Sequence, residues 1–353
     1  MNKKRVLAML LAGAMALSMT ACGGNSASTD DSSNDGGASA SGGSYKVSVI
    51  LKTLAAEYWQ YVKSGAEDYA SEHSDKVTVE VKGPSSETAF DEMQNMIETD
   101  LSSGSYDGVI ISPLQSDTAA QLVSGTKLPI VAIDTNFTAP EVKSFVGTGN
   151  EAAAKKGGEA AVEAAKAAGW TDIKCIEIAG VQGDQTNTAR MNGYKAGVEE
   201  AGGTFLSDEV QYADATADRA TTAMEAIMQT HPEGIAIICA NNDDMAMAAA
   251  RAAQGHDAYK NTIFLGFNGE RAACEAILAG QMTMSVAQMA YEMGYKAVET
   301  MVQVLDGETV DEFVDSGSDV VTPDNAQEAP GYPEDAAPLI KQKLHSAQTQ
   351  IVR

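Results

Sequence analysis

The sequence predicts an α/β protein of two doubly wound parallel-sheet lobes, and three observations carry that prediction. Short β-branched runs alternate with helical segments from Tyr45 onward, the alternation stops and begins again, and the central runs are apolar on both faces. At 353 residues the chain suits two medium lobes better than one small domain. Hydrophobic residues at 44% and charged residues at 21% are globular composition, and few aromatics with many Gly and Ala suit close packing of helices on sheets.

The first array has strands at 46–52 (KVSVILK), 77–83 (VTVEVKG), 106–113 (YDGVIISP) and 128–135 (LPIVAIDT). A helix at about 55–72 carries Tyr58, Val62, Ala66 and Tyr69 on one stripe, and the next carries Phe90, Met93, Met96 and Ile97. Each stripe buries one face on a sheet. The second array has strands at 172–180, 204–213, 234–241 and 262–269, with helices near 151–169, 185–202, 216–230, 243–255 and 270–279. Apolar strands joined by helices imply parallel sheets with right-handed crossovers. Beyond 317, a short strand at 320–322 returns to the second lobe. A surface loop marked by Pro323, Pro330 and Pro333 follows, then a helix at 337–350 with Pro338 in its first turn.

The first residues have a separate purpose. Lys3, Lys4 and Arg5 precede a short apolar run, VLAMLLAGAMALSM, and Thr20-Ala21 are small residues before Cys22. This is the pattern of an export signal. A Gly-, Ser- and Asp-rich tether follows at 23–44. The segment Met19-Thr20-Ala21-Cys22 resembles the lipobox of bacterial lipoproteins, with Met19 where Leu is usual. That resemblance implies cleavage after Ala21 and a lipid on Cys22.

Charge excludes one class of function. With 24 Lys and Arg against 49 Asp and Glu, the formal charge is -25, which repels nucleic acid and anionic membrane surfaces. No Gly-x-Ser-x-Gly elbow, phosphate-cradling loop or metal-spaced His or Cys set points to an enzyme, a metal or a cofactor. Asp134 and Asp184 are the one carboxylate pair that such a reading has to consider. Cys175, Cys239 and Cys274 fit no metal spacing and read as buried thiols.

In doubly wound sheets, ligands bind outside the carboxyl ends of the strands. The residues at those tips are Lys52, then Asp134, Thr135 and Asn136, then Gln182, Asp184 and Gln185, then Asn241 and Asn242, then Phe267 and Asn268, and Gln288. Nearly all are polar groups that can grip neighbouring hydroxyls in pairs, while rings such as Tyr58 and Trp59 cover apolar C–H faces. Asn and Asp at such positions also cap helices, and 241–244 forms a plausible N-cap cluster. Tyr58 lies on the apolar stripe, whereas Trp59 is about 100° round the helix from it.

The motifs VILKTLAAEYW, VAIDTN, TARMNGY, CANNDDMAMAAA, LGFNG and AGQMTMSVAQ occur in the order and spacing of periplasmic-type monosaccharide-binding proteins of ABC transporters, the ribose, allose and arabinose group. The resemblance spans about residues 45–325. It implies the type I periplasmic binding protein fold, a monomeric two-lobed clamp with three chain crossings, near 147–150, Gln288 and Ser318. The chain then divides into a signal peptide (1–21), lipidated Cys22 and tether (22–44), lobe one (45–148), lobe two (149–287), a return to lobe one (288–317) and a crossing back with the tail (318–353). By motif position, Lys52 would bond a hydroxyl or ring oxygen, Tyr58 and Trp59 would flank the ring, and Asp134 would accept from two hydroxyls. Arg190 would present its fork, and Asn242, Asn268 and Gln288 would complete the partners. No cofactor is implied.

Departures from the pattern mark the pocket as recombined. Ala56 stands where Asn is usual, Asn268 where Asp is usual, and Ala215-Thr216 where lobe two usually supplies an aromatic wall. The resemblance implies a monosaccharide as ligand and the membrane subunits of an ABC transporter as partners, with the lipid as the only membrane attachment. Alternatives are a chemoreceptor or sensor-kinase partner, and a different small polar ligand such as an inositol or an autoinducer-type furanone. Repressors of the lactose type share the fold but need a DNA-binding front, and this chain has an export signal and an acidic tether there.

Overall fold

The computed structural model describes residues 44–329. The export signal, Cys22, the tether, Pro330, Pro333 and the helix expected at 337–350 lie outside the described residues. Among the described residues no helix is long and apolar enough to cross a membrane.

The first sheet is built from β1 (Tyr45–Ile50), β2 (Val77–Lys82), β3 (Gly108–Ile111), β4 (Ile130–Ile133) and β5 (Val142–Gly147), with α1 (Glu57–Glu72), α2 (Phe90–Ser103) and α3 (Ser116–Val123) between the first four. The second is built from β6 (Lys174–Ala179), β7 (Thr204–Phe205), β8 (Gln211–Tyr212), β9 (Ile237–Ala240), β10 (Ile263–Asn268) and β11 (Met284–Gln288). Its helices are α4 (Asn150–Ala167), α5 (Gln185–Glu200), α6 (Ala217–Thr230), α7 (Asp243–Ala253) and α8 (Arg271–Leu278). The chain then forms α9 (Ala290–Leu305), β12 (Phe313–Asp315) and β13 (Ser318–Val321).

The strand orders are β12-β5-β4-β3-β1-β2 and β13-β11-β10-β9-β6-β7. Each sheet therefore reverses direction beside its first strand, which is where a crevice opens in a doubly wound fold. All recorded pairs are parallel except β11 with β13, which runs antiparallel. Central strands β3 and β4 are buried along their whole length because helices cover both faces.

The chain passes between the sheets three times: from β5 into α4, from β11 into α9, and from β12 to β13. Two of these strands are tied together, with the Thr148 and Ser316 hydroxyls 3.2 Å apart and the Ser316 N–H donating to the Gly147 carbonyl at 2.7 Å. Returning helix α9 packs on α1 at close range. A Cβ at Gly65 would overlap the Tyr291 carbonyl, and one at Gly294 would overlap that of Val62. Gly193 and Gly197 bring α5 against α4 by the same device.

The strand expected at 204–213 is instead two short pieces, β7 and β8. They pair with opposite ends of β6, and a 3-10 turn at Ser207–Glu209 bulges out between them, with Asp208 exposed and Glu209 bonded to His231. Helix α9 and strands β5 and β12 have no counterpart in the sequence expectations. β12 is three residues at a sheet edge, too short for any period to register. Cys175, Cys239 and Cys274 are buried and free.

Candidate binding cleft between the strand tips

The carboxyl ends of both sheets face one cavity of about 570 Å³, its open mouth included. Lys52, Tyr58, Trp59, Glu87 and Asp134 line it from the first sheet's side, and Asp184, Asn187, Arg190, Asn242, Asn268 and Glu270 from the second's.

Lys52 follows β1 and is 4% exposed. Its ammonium pairs with Asp184 and lies 3.9 Å from Asp134 Oδ2. Burial acts to lower its pKa, but the facing Asp184 and Asp134 outweigh burial and hold it above the ordinary lysine value. The group stays charged.

Asp134 ends β4 with φ at 62°, a left-handed conformation that Asp tolerates at modest cost. Its N–H donates to the Val146 carbonyl at 2.9 Å, which fixes the twist. Oδ1 accepts from the Tyr58 hydroxyl and Oδ2 from the Thr135 hydroxyl, both at 2.8 Å. Burial and then the Asp134 charge push the Tyr58 hydroxyl well above the usual tyrosine range, so it remains a donor.

Tyr58 and Trp59 stand edge to face, ring centres 4.9 Å apart. Both are buried, and Trp59 Nε1 donates to Glu87 Oε1 at 2.9 Å. Although about 100° apart round α1, Tyr58 and Trp59 both line the cavity and both pack in the first lobe's core.

Arg190 on α5 donates from Nε to Asn150 Oδ1 and from Nη1 to the Asn241 carbonyl, each at 2.8 Å. The guanidinium carbon lies over Phe267, 3.9 Å from the ring centre. Glu177, wholly buried on β6, feels the Arg190 charge. Burial pushes that carboxyl up to about 8, with Asn241 and Arg190 giving partial relief. Neither of its oxygens reaches hydrogen-bond geometry with a described donor.

Several tip residues also act as caps, as their types allow. Asp184 Oδ1 accepts from the Asn187 N–H at 2.9 Å, and Asn242 Oδ1 from the Met245 N–H at 2.9 Å. Asn242 further donates to the Ala215 carbonyl at 3.2 Å, so its amide is largely committed to the protein. Gln288 is the correction: it is not among the lining residues. Its amide donates to Asn268 Oδ1 at 2.8 Å from behind, because β11 sits one strand further from the crevice.

Asn268 in turn donates to Glu270 Oε1 at 2.8 Å. The carboxylate expected at the end of β10 thus stands two residues later in the chain. Glu87, Asp184, Asn187, Asn241, Asp244 and Glu270 line the cavity without having been picked out as contacts. Asp184 and Asn241 were visible as strand-tip polar residues. Glu87 comes from the loop before α2, where nothing in the sequence distinguishes it from a surface acid. Among the described residues there is no His, Cys, Asp and Glu grouping suited to a metal.

Residues 47–309 match the family described as Periplasmic binding protein domain. The D-allose-binding periplasmic protein of Escherichia coli (strain K12) is 30% identical over 265 residues, 72% of this chain and 83% of its own. The Ribose import binding protein RbsB of Bacillus subtilis (strain 168) is 26% identical over 274 residues, 76% of this chain and 85% of its own. Among solved structures, a carbohydrate transporter solute binding protein from Agrobacterium radiobacter in complex with D-arabinose superposes with a TM-score of 0.73. It is 24% identical and covers 80% of this chain and 95% of its own. With the family matched over most of the chain, and with its two-sheet architecture in place, this protein belongs to the periplasmic binding protein domain family.

Proposed function

We propose that the protein is the binding component of an ABC-type sugar importer, closing its two lobes on a monosaccharide or related polyol. The observation that carries the reading is the cavity between the two sets of strand tips, lined by polar side chains of both lobes and by two aromatic rings of the first. Relatives named for allose and ribose binding support it. Lys52, Tyr58, Trp59, Asp134, Arg190 and Asn242 are the proposed contacts, with Asn268 beside them and Gln288 holding Asn268 in place.

Because the contacts come from both lobes, binding and closure are one event: ligand shifts the population towards the form in which the lobes meet. Membrane subunits would read that form and draw the lobes apart. Acyl chains on Cys22 would keep the protein at the outer face of the cell membrane, each buried methylene adding about 0.8 kcal/mol. The protein acts as a monomer and as a binder, not a catalyst.

The test is titration of the tether-truncated protein with aldoses, deoxyaldoses, inositols and pentitols, read by melting temperature and tryptophan emission. A saturable response to one or two sugars, absent in Trp59→Phe emission, is expected. No response to any of them overturns the sugar reading.

A further inference from the structure

Five carboxylates, those of Glu87, Asp134, Asp184, Asp244 and Glu270, line the cavity against two cations, Lys52 and Arg190. Lys52 is already shared between Asp184 and Asp134. Arg190 donates to Asn150 and the Asn241 carbonyl and stands over the Phe267 ring, none of them an anion. Among the described residues Glu87, Asp244 and Glu270 have no ion-pair partner.

Glu270 is the most firmly held of these. It is 4% exposed, its N–H donates to Asp243 Oδ2 at 2.9 Å, and the relay from Gln288 through Asn268 fixes Oε1. Among the described residues no donor meets Oε2. Glu270 lines the ligand cavity, so a donor brought by the ligand can meet the oxygen that the protein leaves without one.

We propose that the ligand carries a protonated amino group, seated against Glu270 Oε2 with Asp244 beside it, so that the substrate class is an amino sugar or aminopolyol. This rests on reading the cavity as a monosaccharide site. Burial, then the Asp243 and Asp244 charges, push the Glu270 carboxyl well above the usual range, and burial raises Asp244 and Glu87 also. Glu57, on the first turn of α1, adds its charge to this end of the cavity from the other lobe. Arg251 acts on Asp244 from further along α7, and Arg271 is engaged with Glu275 at 3.1 Å. A ligand ammonium would favour the ionised form of these carboxyls, which burial opposes, whereas a hydroxyl brings no charge with which to do so. The remaining hydroxyls would meet Asp134, Arg190 and Asn187.

The test is calorimetric titration at pH 7 with D-glucosamine, D-galactosamine and D-mannosamine, each against its neutral parent and its N-acetyl form, together with D-ribose, D-allose, ethanolamine and putrescine. The expected result is one amino sugar binding at least about tenfold tighter than its neutral parent and its N-acetyl form, with Glu270→Gln bringing that ratio towards one. A neutral aldose that binds as tightly as its amino counterpart overturns the ammonium seat and leaves the sugar reading standing. Binding of ethanolamine or putrescine with no response to any sugar keeps the ammonium seat and overturns the sugar reading. No binding in any titration overturns both.

Discussion

The Lys52 ammonium, at the tip of the first lobe's first strand, pairs across the cleft with the carboxylate of Asp184, which caps the second lobe's helix α5. A second bond runs parallel to it, with the Thr135 and Thr186 hydroxyls 2.7 Å apart. Both residues of the ion pair are buried where the lobes meet, but opening the lobes would return them to water.

That geometry predicts what Asp184→Ala does. Removing one partner of a buried pair costs about 2–5 kcal/mol, but opening rehydrates Lys52, so the loss falls on closure and not on folding. Ligand affinity should drop at least about thirtyfold while the melting temperature of the ligand-free protein moves little. Small-angle scattering with and without ligand checks it: a variant that closes as readily as the wild type contradicts the assignment.

Asp134→Asn separates charge from shape. The amide keeps the left-handed backbone at the strand tip and can still accept from Tyr58, but it no longer faces Lys52 as an anion. Loss of a charge-assisted acceptor predicts about 1.5–3 kcal/mol weaker binding. Titration calorimetry on the variant is the measurement, and wild-type affinity would remove Asp134 from the site.

Trp59→Phe keeps an aromatic face but deletes the indole N–H that Glu87 accepts, together with one ring of a buried side chain. Glu87 should then become more mobile, and stability should fall by about 1–3 kcal/mol from the lost bond and the void left behind. With Trp170 as the other tryptophan in the chain, near α4 and away from the cavity, the ligand-induced emission change should vanish.

Glu177 predicts a pH dependence. Its folded pKa, pushed up to about 8 from 4.5, means that the folded state binds a proton which the unfolded state has released. Its contribution is therefore complete below about pH 4.5 and is lost as pH rises through about 8, at up to about 1.4 kcal/mol per pH unit. Glu177→Gln should flatten the fall in stability between pH 5 and 8 that denaturant titrations record for the wild type. Parallel profiles for the two proteins would show that Glu177 is ionised when folded.

Gly294→Val tests the joint between α1 and α9. The new side chain would run into the Val62 carbonyl, backbone that cannot yield as a flexible side chain would. A loss of about 3 kcal/mol or more is expected in equilibrium unfolding, far above the cost of the same change at Gly307, which has open space around it and a positive φ to pay for.

The alternation of apolar runs and amphipathic helices was enough to determine the two-lobed α/β architecture, because burial on both faces of a parallel sheet leaves a mark at every central strand. It also determined where to look: Lys52, Tyr58, Trp59 and Asp134 stand at tips or first turns whose position follows from local period alone, Arg190 is marked only by its motif, and the structure gathers them round one cavity. Tertiary structure alone decided the rest. Glu87 reaches the cavity through a loop, and Glu270 through a relay from Gln288 by way of Asn268. Asp184 meets Lys52 only because the lobes face each other. These are contacts between residues far apart in the chain or set by strand order, and no period in a sequence encodes which tip faces which. The charge surplus of the cavity is likewise invisible among 49 acidic residues until folding selects five of them to surround one space.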